Sequence, residues 1–157
     1  MKRANTPRLA LALAIVALPT ASFFGCGSSG GEDTSGPLSK AQFLHEGDRI
    51  CKKRLEEKDA AIKAGLKELA PSELAKPSSQ VKKDLGESII PPAKGLTEEL
   101  SDLPAPVGSK AEVEEIVAKL KTGLKKAESD PASLLDTDPF ADAAVAARAY
   151  GFKRCNL

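Results

Sequence analysis

The stretch Ser109-Lys110-Ala111-Glu112-Val113-Glu114-Glu115-Ile116-Val117-Ala118-Lys119-Leu120-Lys121-Thr122-Gly123-Leu124-Lys125-Lys126-Ala127 decides the fold. Its apolar positions Val113, Ile116, Val117, Leu120, Leu124 and Ala127 recur at the spacing of a helix with one buried stripe. Glu114, Glu115, Lys119, Lys121, Lys125 and Lys126 lie off that stripe. The acids come early and the cations late, the order that complements a helix dipole. Ser109-Lys110-Ala111-Glu112 has the form of a capping box at the start.

The same period recurs on both sides. Upstream, Ser39-Lys40-Ala41-Gln42 is a second S-x-x-Q box, followed by Leu44, Cys51, Leu55, Ile62, Leu66 and Leu69 on one stripe. Phe43 and Ile50 widen that face, and Pro71 ends it. Residues 71–79, with two prolines and several serines, read as a connection holding a single helical turn. The next stripe is Val81, Leu85, Ile89, Pro92, Leu96, Leu100 and Leu103, in phase across Pro91-Pro92. Each proline removes a backbone donor, and Pro91 is disfavoured in the helical region by the proline after it. One kinked helix and two helices meeting at a break both fit, and the preserved phase favours the kink.

Leu103 to Gly108 carries two prolines and a glycine and reads as a turn. Asp130-Pro131 and Asp138-Pro139 each put a capping acid before a proline suited to the first helical position. The first is expected to open one turn through Leu135. The second opens a last helix from Pro139 to about Tyr150, with Phe140, Ala144 and Ala147 on one face and Gly151 as its stop. There is no hairpin signal, no internal repeat and no Trp, so the core is mainly Leu, Ile, Val and Ala. The expected fold is all-α: a bundle of about four main helices, the second kinked at its Pro-Pro, in a domain covering residues 38–157.

Before that domain, Lys2, Arg3 and Arg8 precede an apolar run from Leu9 to Leu18, then small residues and Phe23-Phe24-Gly25-Cys26. This is the layout of a secretory signal over residues 1–25. The run is far short of the roughly 20 residues a membrane-spanning helix needs. Gly25-Cys26 after such a run resembles the lipobox of bacterial lipoproteins, in which the cysteine is lipidated and becomes the first residue. Phe23 and Phe24 stand where that pattern favours Leu and a small residue. Residues 26–37 then form a Gly/Ser-rich flexible tether. The resemblance implies lipidation at Cys26 and residence on the outer face of the cytoplasmic membrane, the alternative being a soluble secreted protein.

Without residues 1–25 the chain has 20 Lys and Arg against 22 Asp and Glu, a formal charge of about −2. That balance, with cations such as Lys52-Lys53-Arg54 interleaved with Glu56, Glu57 and Asp59, speaks against a nucleic-acid surface. With Cys26 assigned to lipid, Cys51 and Cys155 remain. In an oxidising compartment they are expected to form a disulfide that staples the C-terminus to the first helix. A redox centre would need a partner thiol such as C-x-x-C, and the sequence has none.

Leu38 to Leu44 leading to Ile50-Cys51-Lys52, with Ala149-Tyr150-Gly151-Phe152-Lys153-Arg154-Cys155 at the end, is similar to small helical lipoproteins of actinobacteria. These are secreted and of unassigned function, with one cysteine in the first helix and another near the C-terminus. The resemblance implies no catalytic residues and no cofactor.

Little in the chain suggests catalysis. His45 is the single histidine, so no multi-histidine metal site can form, and it sits at the edge of the first stripe. No Walker A motif is present, and the glycine-rich run Gly25 to Gly31, which contains the bare spacings G-x-S-x-G and G-x-G-x-x-G, neither follows a strand nor opens a helix and reads as tether. Asp136-Thr137-Asp138 lacks the glycine and distal glutamate of a calcium loop and reads as capping. Tyr150, Phe140 and Phe152 are expected to cluster around the C-terminal staple. The expected function is non-catalytic: a membrane-anchored binding or interaction module of the cell envelope whose partner, an envelope protein or a small ligand, the sequence does not name. The alternative is a small-ligand carrier, with a groove beside Pro91-Pro92 where the freed carbonyls of Glu87 and Ser88 meet a polar group.

Overall fold

The computed structural model describes residues 37–155; the expected signal, Cys26 and the tether up to Gly36 lie outside the described residues. The elements are α1 (Lys40–Lys67), α2 (Pro71–Ala75), α3 (Ser79–Asp102), α4 (Lys110–Ser129), a 3₁₀ turn (Pro131–Leu135) and α5 (Ala141–Tyr150). Among the described residues there is no strand, and no helix is long and apolar enough to cross a membrane. The protein is an all-α bundle of four main helices.

Local chemistry sets most of the boundaries. At α1 the capping box is complete: Gln42 N–H donates to Ser39 Oγ at 3.3 Å and Ser39 N–H donates to Gln42 Oε1 at 3.0 Å. Ser78 caps α3 through the N–H of Val81. α3 is one helix that continues through Pro91 and Pro92, not two helices meeting at a break. The box expected at Ser109 does not form. Gly108, at φ 79°, completes a turn in which Ser109 N–H donates to Pro106 O, and this holds Ser109 at φ −121°, ψ 15°, away from the extended geometry of a capping residue.

The two Asp-Pro signals part company. Asp130 precedes the 3₁₀ turn but makes no side-chain cap; its carbonyl accepts the N–H and hydroxyl of Ser133 instead. Asp138 Oδ1 does accept the N–H of Phe140, at 2.9 Å, and α5 begins at Ala141, two residues after Pro139. α5 stops at Gly151, whose φ of 124° suits glycine. Gly151 N–H reaches Arg148 O and Phe152 N–H reaches Ala147 O, the paired bonds of a Schellman motif.

α3 is the hub, packed against α1, α4 and the 3₁₀ turn, while α5 packs on α4. α1 and α3 run antiparallel, as the successive approaches of Gly47 to Leu100, Gly95 to Arg54 and Gly65 to Leu85 show. At Gly86 the backbone of Pro131 lies directly on α3, where any side chain would collide with its carbonyl oxygen. Phe43, Leu96, Leu120 and Cys51 are the largest fully buried side chains. Burying such groups stabilises the fold by about 1.5–3 kcal/mol for each large apolar side chain.

The chain's end returns to its beginning. Cys51 and Cys155 are disulfide-bonded, with Cα atoms 5.0 Å apart and a sequence separation of 104. Asp48, on the same helix, accepts the N–H groups of Lys153 (2.9 Å) and Arg154 (2.8 Å). Phe43, Tyr150 and Phe152 pack as a trio with ring centroids 5.8–6.0 Å apart. Lys40 lies over the Tyr150 ring at 4.3 Å. The expected aromatic grouping is thus corrected: Phe43 takes the third place, and Phe140 packs instead against Gly123 of α4.

This closure covers only part of α1. The buried residues of α1 are Phe43, Gly47, Ile50 and Cys51, all in its first half. Leu55 and Ile62 are half-buried and Leu66 is 40% exposed, so the stripe read from the sequence is continuous but its burial is not.

Because the disulfide closes so long a loop, Cys51→Ser and Cys155→Ser should each cost up to about 4–5 kcal/mol in the chain-entropy limit. The double variant should lose no more than either single one; urea unfolding of all three supplies the cycle. Gly86→Ala should cost about 1–3 kcal/mol by forcing the 3₁₀ turn off α3, measured in the same way.

Candidate functional site

A groove opens where α1 leaves the closed half of the bundle. On α1, Arg54, Leu55, Lys58 and Ile62 fall on one side at helical spacing and form one wall. On α3, Ile89, Pro92, Ala93 and Leu96 form the floor by the same rule. Leu134 and Leu135 of the 3₁₀ turn, with Thr137 to Phe140 leading into α5, form the opposite wall. The cavity measures about 380 Å³, at the small end of the range for small-molecule sites. Its surface is mostly apolar, with charge confined to Arg54, Lys58 and Asp138.

Two of these three charges are engaged within the chain. Arg54 Nη2 donates to Glu99 Oε1 at 2.7 Å, Nε to Glu99 Oε2 at 3.3 Å, and Nη1 to Glu57 Oε2 at 2.7 Å. Lys53 joins the cluster through Glu99 Oε1 at 2.9 Å. Gly95 makes room for this, because the Arg54 guanidinium lies where its Cβ would be. The hydrogen bond from Arg54 pulls the Glu99 carboxyl below its ordinary pKa, against an opposing effect of burial and with further help from Lys53. The same bond raises the Arg54 pKa. Asp138 is held by the Phe140 N–H. Lys58, half-buried on the α1 wall, has no hydrogen bond or ion pair among the described residues.

A second, shallower recess adjoins the groove. It is bounded by Asp59, Ile62, Lys63, Leu66 and Lys67 of α1 and by Leu74 of α2, and shares Ile62 with the first. Leu74 is 51% exposed.

Several residues singled out in the sequence lie elsewhere. Pro92 lines the groove, but Glu87 and Ser88 do not, so their carbonyls, deprived of the donors that Pro91 and Pro92 lack, do not supply its polar contact. His45 is exposed on α1 beside Glu46, away from the groove. Asp136 pairs with Lys82 at 2.8 Å. Among the described residues no three His, Cys, Asp or Glu side chains are placed to hold a metal ion. Phe140 reaches the groove, whereas Tyr150 and Phe152 belong to the closure of the fold.

Sequence reading missed Leu134, Leu135 and Lys58 as site residues, and the Arg54–Glu99 pair. Only the apolar pair after Asp130-Pro131 signals them in the sequence, as a turn more apolar than a solvent-facing connection needs to be. No protein family, curated protein or solved structure matches this chain.

The pH dependence of the Arg54–Glu99 contact has a defined sign. A carboxylate whose pKa is lowered by folding contributes stability above its unfolded pKa and loses it as pH falls through the lowered value. Glu99→Gln should therefore cost about 0.5–1 kcal/mol at neutral pH, a modest figure because the pair is part-exposed. It should also reduce the fall in Tm between about pH 6 and about pH 3, followed by circular dichroism.

Proposed function

We propose that the protein is an exported lipoprotein, anchored through a lipidated Cys26, that acts in the cell envelope as a non-catalytic binding module. The groove between α1, α3 and the 3₁₀ turn is its recognition site. The single observation that carries the binding role is that groove: a preformed apolar recess walled by rigid elements, with a few polar groups at its rim. Sites of that build bind and orient small or narrow partners.

Support for the anchor comes from the basic start, the short apolar run and Gly25-Cys26 followed by a Gly/Ser-rich tether. The similarity to small actinobacterial lipoproteins points the same way. A tether of that composition keeps the domain clear of the headgroups while leaving it free to turn. The size of the groove favours a second, narrower version of this reading, a carrier of a small ligand, over capture of a folded protein surface.

Cys26→Ala, expressed in a bacterial host with a lipoprotein-processing pathway, should move the protein from the membrane fraction to the soluble or secreted fraction. The intact mass of the wild-type protein extracted from membranes should correspond to a chain beginning at Cys26 plus a diacylglycerol group, and should rise by two hydrogens on reduction of the Cys51–Cys155 bond. Tight membrane association of the Cys26→Ala variant refutes the anchor.

A further inference from the structure

We propose that the groove takes a single-chain fatty carboxylate, with its carboxylate on Lys58 and its alkyl chain on the apolar floor; this rests on the binding-module reading above. Arg54 is saturated by two carboxylates, and Asp138 is tied to the N–H of Phe140. Lys58 is the one charged side chain of the lining left without a partner.

Lys58 lines the groove and is half-buried as a residue, so an anionic group placed against its ammonium gains a charge-assisted contact at the edge of apolar walls. The rest of the lining is mostly hydrocarbon, and its other charged groups are engaged within the chain, so the complementary ligand has an anion at one end and an apolar body. The cavity of about 380 Å³ suits one alkyl chain better than the two chains of a membrane lipid. Ile62 continues the apolar surface into the second recess, toward Leu66 and Leu74. From Leu55 to Leu66 the α1 wall runs for about 16 Å at the helical rise per residue, a length comparable to an extended lauryl chain. Lys63 and Lys67, also without ion pairs, add positive potential along that surface, partly offset by Asp59.

Isothermal titration of the full-length protein with laurate, lauryl alcohol and phosphatidylglycerol vesicles tests this. Laurate should bind, and Lys58→Gln should weaken it about tenfold, as expected for loss of one charge-assisted contact. Binding of lauryl alcohol should be weaker and unaffected by Lys58→Gln. Leu135 is exposed, so Leu135→Glu should preserve the helical circular dichroism spectrum while abolishing laurate binding through charge repulsion at the groove wall. Laurate binding that is absent, or that is insensitive to Lys58→Gln, overturns the assignment. So does Lys58-dependent binding to the vesicles in its place. A photo-crosslinking residue at position 135 in cells separates this failure from that of the parent reading. Capture of a polypeptide without laurate binding leaves a binding module with a different ligand, whereas capture of nothing and no laurate binding removes both.

Discussion

The structure depends on the docking of its last residues onto the first half of α1. Three different forces act within a short span there. The disulfide ties Cys155 to Cys51, the Asp48 carboxylate accepts two backbone N–H groups of the returning tail, and Phe152 packs against Phe43 and Tyr150. Gly47 allows the approach, since the Phe152 ring occupies the space a side chain there would fill. Without this closure α1 would rest mainly on α3, because α5 packs chiefly on α4 and meets α1 through Tyr150, itself part of the aromatic trio. The covalent bond acts chiefly on the unfolded chain, while the carboxylate and the rings fix the folded geometry.

The closure also explains where the groove lies. The tail and aromatic trio bury α1 up to Cys51 and no further. Beyond that point α1 has α3 on one side and, across the groove, the 3₁₀ turn with the segment leading into α5, the turn itself fixed by the contact of Pro131 with Gly86. Two walls and a floor are set rigidly, and the fourth side is open. An apolar stripe that would otherwise be core is thereby left partly exposed, which is the physical origin of the candidate site. The Arg54–Glu99–Lys53 cluster sits at the boundary between the closed and open halves and, among the described residues, leaves Lys58 as the cation of the groove lining without an ion pair.

This arrangement builds one wall and the floor of the candidate groove from helices α1 and α3. Side chains of the α1 and α3 walls are held by their own helical hydrogen bonds and by the packing of the adjacent core, so the groove exists before any ligand arrives. A preformed recess loses less conformational entropy on binding than one that must be assembled.

The sequence by itself determined the elements. Apolar residues three and four apart, the Ser39 capping box, the prolines at 71 and 131, and Gly151 as a stop depend only on neighbours within a few positions, so they were legible without the fold. The pairing of Cys51 with Cys155 was legible by counting, because only two cysteines remained once Cys26 was assigned to lipid. Tertiary structure alone decided which part of each stripe is buried, that Phe43 and not Phe140 joins Tyr150 and Phe152, that Ser109 yields its cap to the Gly108 turn, and that Leu134, Leu135 and Lys58 face one groove. Those outcomes depend on which surfaces meet across tens of residues, and local periodicity carries no record of what lies opposite a helix face. The open half of α1 shows the difference: its residues carry the pattern of a core, and what lies opposite them leaves them only partly covered.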